Sequence, residues 1–444
     1  MSSADANFAA SSTTRWELDV ARNVAKLASA AGVSCLLTIA TAPLLTRVYS
    51  PDDLGIYGAF TAILFVVSAS TSLRYEFAIP IADSDDDARS LVYLAMAVLV
   101  VFTAIACAGI GACLIAGPER LAIKQLSAKL WLFPPAMFAL GTFQILYYQL
   151  VRARRFSDLA TIGLARYGSE SIMHLVLGLL AFGAAGLIGG TIVSYIVGAG
   201  ALLAVRATRG AALFDRSRLQ PLIQVAVQYR RYAVYSTPSS ICNAAGAYLP
   251  SLLVAIYYGP ENAGWLLLAD RVFALPSRIV GRAVSDVYFG EAARCLRECP
   301  HQLVAMIRQS TKVLVIAASG VFVVALASGP AFVWAFGGQW REAGIYAQIL
   351  AAPFAVRFLV LAITQLTTYG LNHWQLGWDV LRLVGACVPL LVCAALGLSA
   401  RAAIAWYGVT TTILFVVLYG LNVLAVNYTV RRRLQLIELE ARPL

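Results

Sequence analysis

Residues 49–55 read Y-S-P-D-D-L-G and residues 258–264 read Y-G-P-E-N-A-G. Tyr49 matches Tyr258, Pro51 matches Pro260 and Gly55 matches Gly264, each at an offset of 209. Both copies follow one apolar run and precede another. In each, the proline stops or redirects a helix, the acids cap the helix that follows, and the glycine permits a tight turn. The same turn at the same place in two halves marks an internal repeat.

The flanking runs are identified by composition. Of 444 residues, 60% are hydrophobic and 13% charged, against roughly 25% charged in a soluble protein. Uncharged stretches at 54–73, 90–118, 130–151, 171–205, 232–260, 313–340, 358–378, 383–400 and 402–430 are each long enough to cross ~30 Å of hydrocarbon. The stretch 171–205 is too long for one crossing, and F-G-A-A-G at 182–186 divides it between two helices. Twelve spans are expected, near 27–48, 56–79, 90–115, 129–151, 159–181, 187–206, 233–257, 264–289, 311–333, 345–369, 377–397 and 404–427.

Six crossings restore the starting direction, so the repeat predicts two parallel six-helix bundles related by an axis normal to the membrane. The fold expected is an all-α integral membrane protein of about twelve transmembrane helices around a central cleft. It divides into a disordered cytoplasmic tail (1–20), an N-terminal bundle (21–206), a cytoplasmic linker (207–232), a C-terminal bundle (233–430) and a second cytoplasmic tail (431–444). Within the linker, residues 219–230 fit either an amphipathic helix lying at the interface or a plain connection.

The formal net charge is +11. With both termini inside, 21 Lys and Arg fall on the cytoplasmic side and 6 in outer loops, the bias that fixes orientation in short loops. Topology therefore accounts for most of the charge, and nucleic acid is not an expected partner. Seven arginines remain within or at the ends of spans: Arg74, Arg166, Arg271, Arg278, Arg282, Arg357 and Arg382. An arginine at the centre of a membrane helix costs roughly 2.5–3.5 kcal/mol unless it is paired, snorkels or meets water.

Those arginines define the candidate site. Arg74 and Glu76, in S-L-R-Y-E-F-A-I-P, either stabilise the cytoplasmic edge of the second span or line a cavity for an anion. Arg166, Glu170 and His174 recur every four residues and share a helical face. Either they bind a phosphate and couple its movement to a proton, or they are an interhelical pair beside a packed histidine. Arg271, Arg278 and Arg282 share a face of the eighth span, which Pro276 can kink, with Asp270 and Asp286 as countercharge. Arg357, Asp379 and Arg382 add candidates in the second half. The substrate-cavity set is thus Arg74, Glu76, Arg166, Arg271, Arg278 and Arg357, and the candidates for ion or proton coupling are Glu170, His174, Asp270 and Asp379. Pro51, Gly55, Pro260 and Gly264 are structural turn residues.

Enzymatic chemistry has no visible seat. His174, His301 and His373 are too scattered for a metal triad, and no HExxH, Walker A or GxSxG motif occurs. D-S-D-D-D at 83–87 reads as a solvated turn and helix cap, with no catalytic domain following. The eight cysteines are dispersed, and Cys295 and Cys299 stand one helical turn apart rather than in a CxxC unit, so all read as packing or inert thiols. No cofactor or metal is expected.

With these features in place, the chain resembles the polysaccharide or O-antigen flippases of the multidrug, oligosaccharidyl-lipid and polysaccharide exporter superfamily. The resemblance rests on P-L-L-T-R-V-Y-S-P-D-D-L-G-I-Y-G at 43–58, S-L-R-Y-E-F-A-I at 72–79, the second-half P-E-N-A-G turn and F-G-G-Q-W-R-E-A-G at 336–344, and covers about residues 20–430. It implies a monomeric transporter in the bacterial inner membrane that passes an undecaprenyl-diphosphate-linked oligosaccharide from the cytoplasmic to the periplasmic leaflet by alternating access, for exopolysaccharide, capsule or O-antigen synthesis. Polysaccharide polymerase and glycosyltransferases are further implied partners. A cation-coupled multidrug exporter and a membrane scaffold are the alternatives. The first should favour intramembrane acids over arginines, and the second needs no polar cavity.

Overall fold

The computed structural model describes residues 29–115 apart from 31 and 35, and residues 124–207, 222–273, 302–363 and 371–440. Helices and their connections make up all of this; no strand occurs among the described residues. The predicted tail at 1–20, Pro276, Arg278, Arg282, Asp286, His301 and most of the linker lie outside them.

The first half contains α1 (Gly32–Val48), α2 (Pro51–Ser68), α3 (Asp85–Ile115), α4 (Phe133–Arg152), α5 (Phe156–Leu179) and α6 (Ala184–Ala207). The short α7 (Leu222–Gln228) follows in the linker. The second half contains α8 (Thr237–Tyr258), α9 (260–273), α10 (Gln302–Leu326), α11 (Ser328–Phe336), α12 (Arg341–Ile349), α13 (Ala351–Ile363), α14 (Asn372–Ala395) and α15 (Ala400–Glu440). Among the described residues eight helices are long and apolar enough to cross a membrane, or nine when a bent pair counts as one. That pair, Gly338–Ile349 and Ala351–Val360, turns by 56°. Pro353 explains the break, because it offers no N–H to the carbonyl of Ile349 and its ring collides with that carbonyl in a continuous helix.

Local chemistry sets the helix starts. Ser50 and Asp53 form a reciprocal capping box with Pro51 in the first turn of α2. Asp85, Asp86 and Asp87 occupy the first turn of α3, where negative charge suits the helix dipole, and the Ser84 hydroxyl accepts from the Asp87 N–H at 3.0 Å. The stretch 83–87 is thus a helix start, as the capping reading expects.

The second span is shorter than the predicted 56–79. Helix α2 stops at Ser68, where its end and the residues just after it are rich in hydroxyls that bond back to the chain. Ser68 donates to the carbonyl of Phe65, Ser70 to that of Val67 and Thr71 to that of Ser68, an alternative to the helical ladder. Two tight turns follow, Tyr75–Phe77 and Ile79–Ile81, with Leu73 and Arg74 at positive φ of 48° and 59°. In the linker, Val225 of α7 and Tyr229 just after it join a buried cluster with Tyr75, Ile79 and Leu91, while Ile223 and Val227 stay exposed.

Side-chain burial separates an inner core from a lipid-facing skin. Tyr49, Phe60, Leu64, Met137, Leu187 and Ile188 in the first half join Trp340, Tyr346, Leu350 and Phe354 in the second in one continuous cluster. Helix α2 packs along α8 across the midline. On the outside, Val100, Val101, Ile105 and Ile115 of α3 are each more than half exposed, a surface that hydrocarbon satisfies and water does not.

Candidate functional site

At one end the halves meet directly. The carbonyl of Pro260 lies against Gly55 and that of Pro51 against Gly264. Beside them the indole N–H of Trp340 and the side-chain amide of Gln339 both donate to the carbonyl of Thr46, each at 2.9 Å. All four predicted turn residues therefore sit in the contact that closes this end.

Behind that contact a cavity opens between the halves. An inner chamber of about 420 Å³ is walled by Tyr57, Gly58 and Thr61 of α2, Arg166 and Glu170 of α5, Tyr195 of α6, Tyr248 of α8, Asp270 and Arg271 of α9, Arg357 of α13, Trp378 and Arg382 of α14 and Tyr407 of α15. An outer chamber of about 580 Å³ lies toward the far end of α2, bounded by Ser68, Arg74, Phe77, Gln144, Ser240 and Asn243. Phe65, Tyr248, Arg357, Arg382 and Phe415 line both.

Most of the intramembrane charges meet here, and most are partnered. Arg74 pairs with Glu76 at 3.4 Å and stacks over Phe77, its guanidinium carbon 4.9 Å from the ring centroid. Glu76 itself is fully buried behind Arg74 and takes a second hydrogen bond from Ser72. Arg166 pairs with Glu170 at 3.5 Å and lies over Tyr167 at 3.8 Å, with Tyr195 at 4.8 Å and Phe143 at 5.7 Å completing an aromatic cage. Such rings stabilise a desolvated cation through their quadrupoles. Arg357 pairs with Asp270 at 3.3 Å across the second half, and Arg382 donates to the amide oxygen of Asn243 at 3.5 Å.

Two expected residues, His174 and Asp379, stand off the cavity. His174 does not share the cavity face of Arg166 and Glu170; it is 1% exposed, with Nε2 2.9 Å from the carbonyl of Leu187 and its ring edge-on to Tyr57. The reason is helical phase, since eight residues at 3.6 per turn rotate a side chain about 80° from the first. Because a carbonyl only accepts, Nε2 carries the proton, which leaves Nδ1 unpartnered. Asp379 is also buried behind the wall, accepting from Gln375 at 3.1 Å and from Ser239 of α8 at 3.5 Å. Arg278 lies outside the described residues. Among those residues no cluster of three His, Cys, Asp or Glu is placed to hold a metal.

The aromatic wall formed by Tyr57, Tyr195, Tyr248, Trp378 and Tyr407 was not singled out by sequence reasoning. Its signal was present as polar-tipped rings inside apolar helices, but nothing in the spacing says that five helices turn them to one space.

A helical membrane protein with a basic, aromatic-lined cavity between two similarly started halves has the architecture of the multidrug and lipid-linked oligosaccharide transporters. The chain belongs to the polysaccharide biosynthesis protein family, whose profile matches residues 31–344. It is 24% identical over 311 residues to the succinoglycan biosynthesis transport protein ExoT of Rhizobium meliloti (strain 1021), an alignment that takes in 69% of this chain. The chain spans about 60% of the length of that curated relative. Its fold is similar to that of the lipid II flippase MurJ in an inward closed conformation, with TM-score 0.70, 11% identity and coverage of 94% of this chain and 93% of that one. An inward-facing multidrug resistance MATE transporter of the MOP superfamily gives TM-score 0.65 and 12% identity, covering 89% of this chain and 95% of the other. The family expected from residues 43–58 and 72–79 is the one found, and the protein is a multi-pass membrane protein.

Proposed function

We propose that this protein is a flippase that carries a polyprenyl-diphosphate-linked oligosaccharide, of the undecaprenyl type, from the cytoplasmic to the periplasmic leaflet of the bacterial inner membrane by alternating access. One observation carries the reading: the described cavity wall holds Arg74, Arg166, Arg271, Arg357 and Arg382 against only two carboxylates, Glu170 and Asp270. Such a wall favours an anionic cargo, because guanidinium forks match phosphate and carboxylate oxygens, and disfavours a cationic drug. The name of the succinoglycan transport relative is in keeping with a glycan cargo.

The sidedness rests on two patterns. Arg89, Arg152, Arg154, Arg155, Arg230, Arg231, Arg308, Lys312 and Arg431 gather at the helix ends remote from the Pro51 and Pro260 turns. Exposed Trp131, Trp334 and Trp406 lie near the helix ends on the turn side, as an interfacial aromatic belt requires. Both termini are then cytoplasmic, and the closed end is periplasmic. Glycosyltransferases would supply the cargo and a polymerase would receive it. Coupling to an ion or proton falls to Glu170, His174, Asp270 and Asp379, of which only Glu170 and Asp270 face the cavity.

The test is reconstitution into liposomes with a fluorescent polyprenyl-diphosphate oligosaccharide, scored by its appearance in the opposite leaflet. Turnover above that of empty liposomes, reduced in Arg382→Gln protein that still elutes as a folded monomer, is the expected result. No turnover by the wild type under proton or sodium gradients would overturn the reading. Unchanged turnover in Glu170→Gln and Asp379→Asn would remove both acids from coupling.

A further inference from the structure

The five cavity arginines are not equivalent. Arg74, Arg166 and Arg357 each hold a carboxylate, and Arg382 holds the Asn243 amide. Arg271 lines the inner chamber, half-buried, and has no hydrogen bond or ion pair among the described residues. Its neighbour in sequence, Asp270, is occupied by Arg357. A guanidinium left without countercharge at membrane depth is costly, so its partner is expected to arrive with the cargo.

The position of Arg271 constrains which part of the cargo that is. By the 209-residue offset Arg271 stands level with Ala62 of α2. Ser68, which reaches the outer chamber, is six residues farther along, about 9 Å at the helical rise, and Arg74 lies beyond it. A diphosphate is too short to satisfy both places at once. The surroundings differ as well: Arg357 and Arg382 line both chambers, but the outer one adds Arg74, Asn243 and Gln144, a cation and amides suited to phosphate oxygens. The inner chamber, which Arg271 lines, is also walled by Tyr57, Tyr195, Tyr407 and Trp378, aromatic residues whose ring faces suit sugars.

Resting on the flippase reading, we propose that Arg271 is a specificity-determining residue that binds a carboxylate borne on the sugars of the cargo, while the Arg74 end binds the diphosphate. The cargo class is an acidic lipid-linked oligosaccharide, carrying a uronic acid or another carboxyl-bearing residue. A charge-assisted hydrogen bond of this kind is worth about ten- to a hundredfold in discrimination.

The experiment compares two lipid-linked cargos of equal length, one containing glucuronic acid and one in which that carboxyl is reduced to glucose, in liposomes with the full-length protein. The wild type is expected to move the acidic cargo about tenfold or more faster. In Arg271→Gln the ratio of the two rates falls toward one, and in Arg271→Lys, which keeps the charge but not the fork, it is intermediate. Because the readout is a ratio, loss of folded protein affects both cargos alike. A wild type that moves both equally, or an Arg271→Gln ratio equal to the wild-type ratio, overturns the assignment and leaves the flippase reading standing. A wild type that moves neither overturns both.

Discussion

A β-carbon placed on Gly55 would lie 1.7 Å from the carbonyl oxygen of Pro260, and one placed on Gly264 would lie 1.9 Å from that of Pro51. The two turns of the repeat thus clasp each other reciprocally, and each glycine is required by the backbone of the other copy. A methyl group at either position forces the turns apart, since the obstructing atoms are backbone. Gly55→Ala and Gly264→Ala are expected to cost about 1–3 kcal/mol in the closed form. They should also admit water to the cavity. The check is the labelling rate of a cysteine at Leu266, buried on the cavity wall near this end, by an impermeant thiol reagent in a background without other reactive cysteines. Faster labelling in both glycine variants is the expected outcome, and unchanged labelling would show that the clasp does not close this end.

Tyr49 ties the same turn to α5. Its hydroxyl donates to the carbonyl of His174 at 2.6 Å, and burial first, with the Asp53 carboxylate second, pushes the phenol up to about 12 from an ordinary 10.0. The native state therefore favours the protonated phenol. Its contribution is fully present below pH 10 and is lost as pH rises toward 12. At neutral pH Tyr49→Phe should be less stable by about 0.5–1.5 kcal/mol, and the difference from wild type should shrink between pH 10 and 12. Thermal unfolding in detergent across that range reads both effects.

The Arg74 and Glu76 pair makes an unequal prediction. Glu76 is fully buried and Arg74 reaches the cavity, so removing the arginine strands a buried carboxylate, whereas removing the acid leaves a cation that can meet water. Arg74→Ala is expected to cost about 3–5 kcal/mol, and Glu76→Gln about 1–3 kcal/mol. The apolar double replacement Arg74→Met with Glu76→Leu should be milder than Arg74→Ala alone. Denaturation midpoints in detergent test the order, and a double variant weaker than Arg74→Ala would refute the pairing account.

How far the sequence carries can be judged at particular residues. The repeat at 49–55 and 258–264 marked the two turns, though not their contact, and the charges at 74, 166, 271 and 357 are residues that line the cavity; both signals depend on residue type more than on packing. Helix phase was less legible: a spacing of four put His174 with Arg166, but the accumulated rotation turns it into the core. The end of α2 was missed because 20 uncharged residues from Leu54 outweighed the Ser68–Ser72 hydroxyls where the helix stops. Nor does any local pattern announce that Arg166 is caged by Tyr167, Tyr195 and Phe143 while Arg271 is not. That difference arises from helices brought together only in the folded protein.

Asp53 carries the last prediction, because its carboxylate serves two helices at once. One oxygen accepts from the backbone and hydroxyl of Ser50, at 3.2 and 2.8 Å, closing the start of α2. The other accepts from the N–H of Ala184 at 2.8 Å, the first residue of α6. The residue equivalent to Asp53 by the 209 offset is Asn262, which donates to the Tyr258 carbonyl and accepts from the Tyr346 hydroxyl of α12. Each turn is therefore fastened to a different helix of its own half. A lost cap costs about 0.5–2 kcal/mol, so Asp53→Ala should lose two such contributions. Asn262→Ala loses one neutral hydrogen bond to Tyr346 and one to the last residue of α8, a smaller sum at about 0.5–1.5 kcal/mol each. Asp53→Asn keeps one oxygen acceptor and should fall between wild type and Asp53→Ala. Unfolding of the three variants in detergent gives the order directly. If Asp53→Asn matches Asp53→Ala, the charge rather than the two acceptor positions holds α2 and α6 together.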